Sequence, residues 1–551
     1  MTRSFLAALG VALVLVRPLA AQEVEPVTAS PSFAAPGATG LTAGRALTLA
    51  TGLLLAPDEA ELNALGLRAM DHLYAGEPTA ASAVADTMRA LAPTDPRPYL
   101  VRARVLREYV SEQDNKRDRV KPQVEPIHAV LDTAITYADQ LLEADENSPS
   151  GRLYRGWAKM FKAQLYELAY EHWSAGNAAR AGKGDLDRVL EIDPRNPDAL
   201  TIVGAYRYFA DLLPGAIKLA TWLLRIPSGD VEQGLEDLEV AIDRASWSQN
   251  DARALRGAIL FGFEGRLEDA RHLFDDFDED YPGNPRLVEP LAIIDLFLPD
   301  RLDEDLRRIG TVVRAADLSE DRLTRDVNAR LRLYQSYLQI LAGRQDAARA
   351  NLYQLRADVP ADPDWLQPSV IVYLADLCLL RGEEEAAREI VRDRRNRDDG
   401  DDEFVRWAKG DEVGASSELA RLFEDVQPVA RAIYGGDWDY AESELAEMTW
   451  PEPSFLDFYR GELAFLRGDI ALALPHFRRL AESPDEGPGR LYRRVARLRV
   501  AELLGELGEY DAARESLNHA IDRYDVKDLV RHVAKGRERR FEHLEKNGPE
   551  S

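Results

Sequence analysis

From residue 57 to residue 546, apolar residues recur at spacings of three and four, and no long alternating run interrupts them. That period gathers apolar side chains on one stripe of an α-helix, whereas a half-buried strand would alternate at every second residue. The pattern predicts an all-α chain of short helices punctuated by Gly and Pro. The stretch GFEGRLEDARHLFDDFDEDYPGNP, at 262–285, shows the punctuation in one segment. Gly265 ends a helix, because a residue without a Cβ takes the left-handed turn at no steric cost. Ala270 puts a small side chain where two helices approach, and Phe274 falls on the same face and fills the core. Pro282 stops the second helix, and YPGNP turns the chain to the next pair.

The same offsets return along the chain. Gly343 is followed by Ala348, Leu352 and Pro360, and Gly436 by Ala441, Leu445 and Pro453. Gly382 is followed by Ala387, Gly468 by Ala473 and Phe477, and Gly508 by Ala513 and Leu517. Short strings repeat with them: EDAR at 268–271, DAAR at 346–349, EAAR at 385–388 and DAAR at 511–514. The helix before each Gly carries a small residue at a fixed distance, Ala258, Ser336, Ala375, Gly461 or Ala501, with Val429 as the exception. Small residues on both members of a pair are what close antiparallel packing requires.

This pattern resembles the tetratricopeptide repeat (TPR) family, whose unit of about 34 residues is a helix–turn–helix with Ala, an aromatic and Pro in its second helix. The resemblance implies a superhelical array of stacked antiparallel helix pairs, a TPR-like α-solenoid, with a concave surface lined by the first helix of each pair. It implies recognition of protein or peptide partners, with no bond made or broken. The expected organisation is a signal peptide at 1–21, a flexible Ala/Thr/Pro/Gly-rich linker at 22–57 and divergent TPR-like repeats at 58–245 with an insert at 212–230. Central repeats follow at 250–393, an acidic loop at 394–416, C-terminal repeats at 417–524 and a capping helix at 527–546.

The first residues change the picture of where the chain works. Arg3 precedes an apolar run at 5–16, then Pro18 and small residues up to Ala21, which is the layout of a secretory leader. The run is shorter than the ~20 residues of a spanning helix, so cleavage after Ala21 is expected, without a transmembrane span in the mature chain. The expected location is the bacterial periplasm. The single cysteine, Cys378, excludes an internal disulfide and sits among Leu residues as a small hydrophobe. A net charge of −27 argues against nucleic acid as a partner, since phosphate binding needs a basic stripe.

Candidate chemistry is sparse. None of the His residues pairs at helical spacing with another, and H-E-x-x-H is absent, so no metal site and no cofactor is expected. GNAARAGKGD at 176–185 lacks the spacing and the Ser or Thr of a phosphate loop. The acidic runs at 275–284 and 398–403 lack the order of a Ca²⁺ loop. No G-x-S-x-G appears, and no catalytic residue is assigned. Aromatic residues are the richer signal. Tyr154, Trp157 and Phe161 share a helical face, as do Tyr166, Tyr170 and Trp173, and Tyr206, Tyr208, Phe209 and Trp222 follow. Two readings stand: core packing, or a groove that anchors a ligand or peptide, with 212–230 as one wall. They correspond to two functions. One is a non-enzymatic interaction scaffold of the envelope. The other, by analogy with TPR proteins that accompany TRAP-type transporters, is a periplasmic binder of a small ligand.

Overall fold

The computed structural model describes residues 59–110, 117–211, 229–317, 322–358, 366–395, 417–450, 454–484, 487–522 and 529–548. The residues read as a leader (1–21) and linker (22–57), most of the insert expected at 212–230 with Trp222, Pro360, Pro453 and most of 394–416 lie outside them. The described residues are helical, with no strand among them. The chain divides into two compact units, Met1–Arg256 and Gly257–Ser551.

The first unit holds α1 (Glu59–Tyr74), α2 (Pro78–Leu91), α3 (Arg97–Arg107), α4 (Arg117–Ala144), α5 (Pro149–Leu168), α6 (His172–Ile192), α7 (Pro197–Asp211) and α8 (Val231–Arg244), and reaches into α9 (Gln249–Ile259). Consecutive helices pack as antiparallel pairs. Local chemistry sets their starts: Pro149 and Pro78 occupy first-turn positions where an amide would go unbonded, and Ser148 and Asp230 accept from Gly151 N and Gln233 N. Close approach is bought by small residues. A Cβ on Gly204 would lie 2.9 Å from the Gly234 carbonyl across α7 and α8.

Residues after α8 pack back on the first helices of this unit. Trp247, just beyond α8, is buried against α1, where a Cβ on Gly66 would meet its ring at 2.0 Å. Its indole donates to Asn63 Oδ1 at 3.3 Å, and its ring lies 6.4 Å from that of Trp157. Asp198 at the start of α7 receives the Trp247 and Ser248 amides, each at 3.0 Å. Tyr74 of α1 and Arg104 of α3 both bond to Asp251 of α9.

The second unit begins with a π-helical segment, Leu260–Glu264, that continues α9. It holds α10 (Leu267–Asp280), α11 (Pro285–Phe297), a 3₁₀ turn at Pro299–Arg301, α12 (Leu302–Asp317), α13 (Arg322–Leu341), α14 (Gln345–Asp358), α15 (Leu366–Leu380) and α16 (Glu384–Arg395). After 396–416 come α17 (Ser417–Asp425), α18 (Gln427–Gly435), α19 (Trp438–Glu447), α20 (Phe455–Leu466), α21 (Ile470–Ala481), α22 (Arg490–Glu506), α23 (Tyr510–Asp522) and α24 (Leu529–Asn547). Gly265, Gly343, Gly382, Gly436, Gly468 and Gly508 all take positive φ between paired helices. Ala270, Ala348, Ala387, Ala441, Ala473 and Ala513 are all fully buried, as is Phe477, and Phe274 is buried. Pro282 follows Tyr281, which closes α10.

This unit departs from an open array. In α11 every residue but Arg286 and Pro290 is buried, in α15 every residue but Pro368, and in α22 the whole stretch 491–504. Helices without an exposed face are packed on all sides, and α22 is so covered although it carries four buried arginines. Here α11 lies against α22 and α15 against α22, although long stretches of sequence separate them. The last helix, α24, seats on the first segment of the unit, the π-helix, as well as on its neighbour α23. The array therefore curls until its ends meet, and the first helices face one another across its interior.

Candidate functional site

The interior of the second unit is a paired polar network set among aromatic rings. Arg499 of α22 and Glu462 of α20 are fully buried and bond Nε to Oε1 at 2.6 Å. The Arg499 guanidinium also donates to the Leu296 carbonyl at the end of α11, and Glu462 Oε2 accepts from Tyr434 at 2.7 Å. Arg330 of α13 grips Glu289 of α11 through two bonds of 2.7 and 2.8 Å. Asp376 of α15 accepts the amides of Gly489 and Arg490 at 2.9 and 3.0 Å, which fixes the start of α22. Burial pushes the Asp376 carboxyl above the usual range, against the pull of Arg493 and Arg490. Tyr459 and Tyr492 reach the carbonyls of Leu341 and Ile340 at 2.9 and 3.3 Å, and so complete the end of α13.

These groups satisfy one another. A buried ion pair returns roughly what its desolvation costs but penalises any other packing, so the network specifies how the first helices face one another. Chemically it acts as a fastener. Cys378 is a separate buried thiol, raised by burial and 3.9 Å from the Tyr353 hydroxyl. Among the described residues no group of three or more His, Cys, Asp or Glu side chains could hold a metal ion, and no helix is long and apolar enough to cross a membrane.

In the first unit the aromatic residues separate into two populations. Tyr154 is buried on α5 under the Arg97 guanidinium, 5.6 Å from its centroid. Trp157, beside it, donates to the Asp198 carbonyl at 3.4 Å and touches three core clusters. Tyr166 stacks on His128 at 4.3 Å. Tyr206 is buried under Lys183, 4.9 Å away, and Tyr208 is buried edge-on to Phe209 at 4.9 Å. Tyr154, Tyr206 and Tyr208 are buried, while Trp157 and Tyr166 are half-buried among these contacts.

Tyr170 and Trp173 are different. Helix α5 ends before Tyr170, which takes φ +59° and stands as the single non-glycine residue with positive φ among the described residues. It is 44% exposed, and Trp173 in the first turn of α6 is 79% exposed. Helical spacing groups Tyr166, Tyr170 and Trp173 on one face, but the turn at 169–171 separates Tyr166 from the other two. The signal for the turn is in the sequence. Ala175 and Ala179, both buried, stand at the same offsets from Tyr170 as Ala270 and Phe274 do from Gly265. Gly76, with Ala81 and Ala85, is a further instance. Tyr170 thus holds a position that glycine fills elsewhere, with a left-handed backbone that costs a side-chain-bearing residue about 1–2 kcal/mol.

No protein-family model matches the chain, and no curated protein matches it. Among solved structures 33 chains match. One is described as the crystal structure of the APC/C hetero-tetramer Cut9-Hcn1, with 14% sequence identity over 92% of this chain and 99% of that one, at a TM-score of 0.20. So low a superposition leaves the fold to be read from the helices themselves. Their antiparallel pairing, left-handed glycines and buried alanines define a TPR-like α-solenoid.

Proposed function

We propose that the chain is a non-catalytic scaffold that binds a protein or peptide partner through the turn edge of its first unit. The observation that carries this reading is the exposure of Trp173 beside Tyr170 in a strained turn. Large aromatics in solvent are the residue type that dominates binding energy at protein interfaces. Strain kept where glycine would relieve it is a mark of function rather than stability. The interior of the second unit is occupied by its own buried side chains, Arg499 and Glu462 among them, which favours an exposed edge as the recognised surface. Export to the bacterial envelope is part of the proposal and rests on the leader-like residues 1–21. The small-ligand reading finds less support, because Tyr154, Tyr206 and Tyr208 are committed to the core.

The test places a photo-crosslinking residue at 173 in the full chain, expressed in a bacterial host with its envelope intact. A discrete adduct, abolished by Tyr170→Ala and retained by a Leu507→Ala control, supports the reading. Adducts that do not depend on Tyr170 overturn the proposed surface. Sequencing the N-terminus of the exported product checks the leader, with Gln22 as the expected first residue.

A further inference from the structure

Two acidic side chains in the second unit face each other without a donor between them. Asp295, in the last turn of α11, is 0% exposed, and Asp305, in the first turns of α12, is 1% exposed. Arg271 of α10 donates to Asp295 Oδ1 at 3.1 Å, to the Leu298 carbonyl at 2.7 Å and to Asp300 at 2.7 Å. No N–H or O–H donor reaches Asp295 Oδ2 or either oxygen of Asp305. The guanidiniums nearest Asp305 are those of Arg308, at 3.6 Å, and Arg301, at 4.0 Å, both beyond hydrogen-bond range. Both are committed to α10 instead. Arg301 bonds Asp275, and Arg308 bonds Asp275 and Asp278, the last two contacts at 2.7 Å.

The two carboxyl groups lie within hydrogen-bonding contact of each other. Two ionised carboxylates so placed repel; one proton converts the contact into an O–H···O⁻ bond. The surrounding charge points the same way. The guanidiniums of Arg271, Arg301 and Arg308 meet the carboxyls of Asp275, Asp278, Asp295, Asp300 and Asp305, so acids outnumber bases. Glu304 adds a further carboxyl beside Arg301. Other charges on the packed elements are already engaged. Arg330 is held by Glu289, Arg499 is held by Glu462 and backbone carbonyls, and Arg431 of α18 donates to the Gly343 carbonyl at 2.7 Å.

We propose that Asp295 and Asp305 share one proton at neutral pH, and that this proton is a pH-sensitive pin joining α11 to α12, with α10 held alongside by Arg271. Burial is the largest force on both groups and raises both, with the Asp305 charge next for Asp295. Folding therefore holds a proton that the unfolded chain releases in the ordinary carboxylate range. Stability is full at and below that range and declines as pH rises through the raised value. Loss of the proton leaves facing buried charges at the junction where α11 also receives Arg499.

The experiment is infrared spectroscopy of the full chain with parallel thermal melts across pH. An un-ionised carboxyl band at neutral pH, absent from Asp305→Asn and from Asp295→Asn, is expected. Its loss in the wild type on alkalinisation should track a fall in melting temperature. The Asn variants should melt above the wild type at alkaline pH, with the gap closing as pH falls. Asp376→Asn, which removes a different buried carboxyl, should keep the band. A wild-type spectrum without an un-ionised carboxyl at neutral pH overturns the proposal even if neither variant folds. So does a melting gap that is the same at every pH.

Discussion

Gly536 of α24 presses on Gly262 of the π-helical segment so closely that a Cβ at Gly536 would lie 2.7 Å from the Gly262 carbonyl oxygen. The contact joins the last helix of the second unit to its first. Around it Arg537 donates to the Gly265 carbonyl at 2.6 Å, and Arg539 to the carbonyls of Gly262 and Phe263 at 2.9 and 3.2 Å. The π-helix leaves carbonyls that its own amides do not fill, and α24 brings the arginines that fill them.

Gly536→Ala is therefore expected to part the two ends. A methyl group with nowhere to go costs about 1–3 kcal/mol in a packed interior. Urea unfolding should show the lower midpoint, and hydrogen exchange should rise first in α24 and at 260–265. Exchange that rises evenly over the whole unit would argue that closure is not a separate contact.

The alanines between paired helices should behave alike. Ala270→Leu and Ala513→Leu each force a larger side chain into a fully buried site, at an expected cost of about 1–3 kcal/mol. An unchanged melting temperature in both would contradict the pairing register.

The Arg499–Glu462 pair predicts an asymmetry. Glu462→Gln strands a buried guanidinium and is expected to destabilise by about 3–5 kcal/mol, whereas replacing both residues by apolar ones of similar volume should recover most of that. Chemical denaturation of the two single variants and the double variant measures the coupling. Simple additivity of the single effects would show that the pair does not act as a unit.

Two histidines set the acid side of the stability profile. His128 is lowered to about 4 by burial and then by Lys162, and His532 to about 4 by burial and then by Arg539 and Lys535. Between the unfolded value near 6.5 and about 4 the unfolded chain takes up protons that the folded chain refuses. Their contribution is intact above about 6.5 and is lost as pH falls through this window. Melting temperature should drop across it, and His128→Phe together with His532→Phe should flatten the drop.

Much of the fold was legible because its determinants are local. A glycine that takes a left-handed turn, an alanine five residues on and an aromatic beyond it act within one helix pair, and Gly265, Ala270 and Phe274 show it. The exposed edge was half legible. Tyr170 and Trp173 stood out as aromatics, but telling them from Tyr154 and Tyr208 required knowing where α5 stops. The mostly apolar sequence of α15, LQPSVIVYLADLCLL, also carried a signal, since a helix with so few polar residues must be covered nearly all round.

Sequence alone determined the helices, their pairing and the small residues between them, because each depends on neighbours within a few turns. Tertiary structure alone decided that the second unit closes on itself. Closure depends on small rotations accumulated from pair to pair, and on contacts such as Gly262 with Gly536 and Leu296 with Arg499, whose partners lie far apart in the chain. It also set two aspartates, unremarkable in sequence, face to face in a place where water cannot separate their charges.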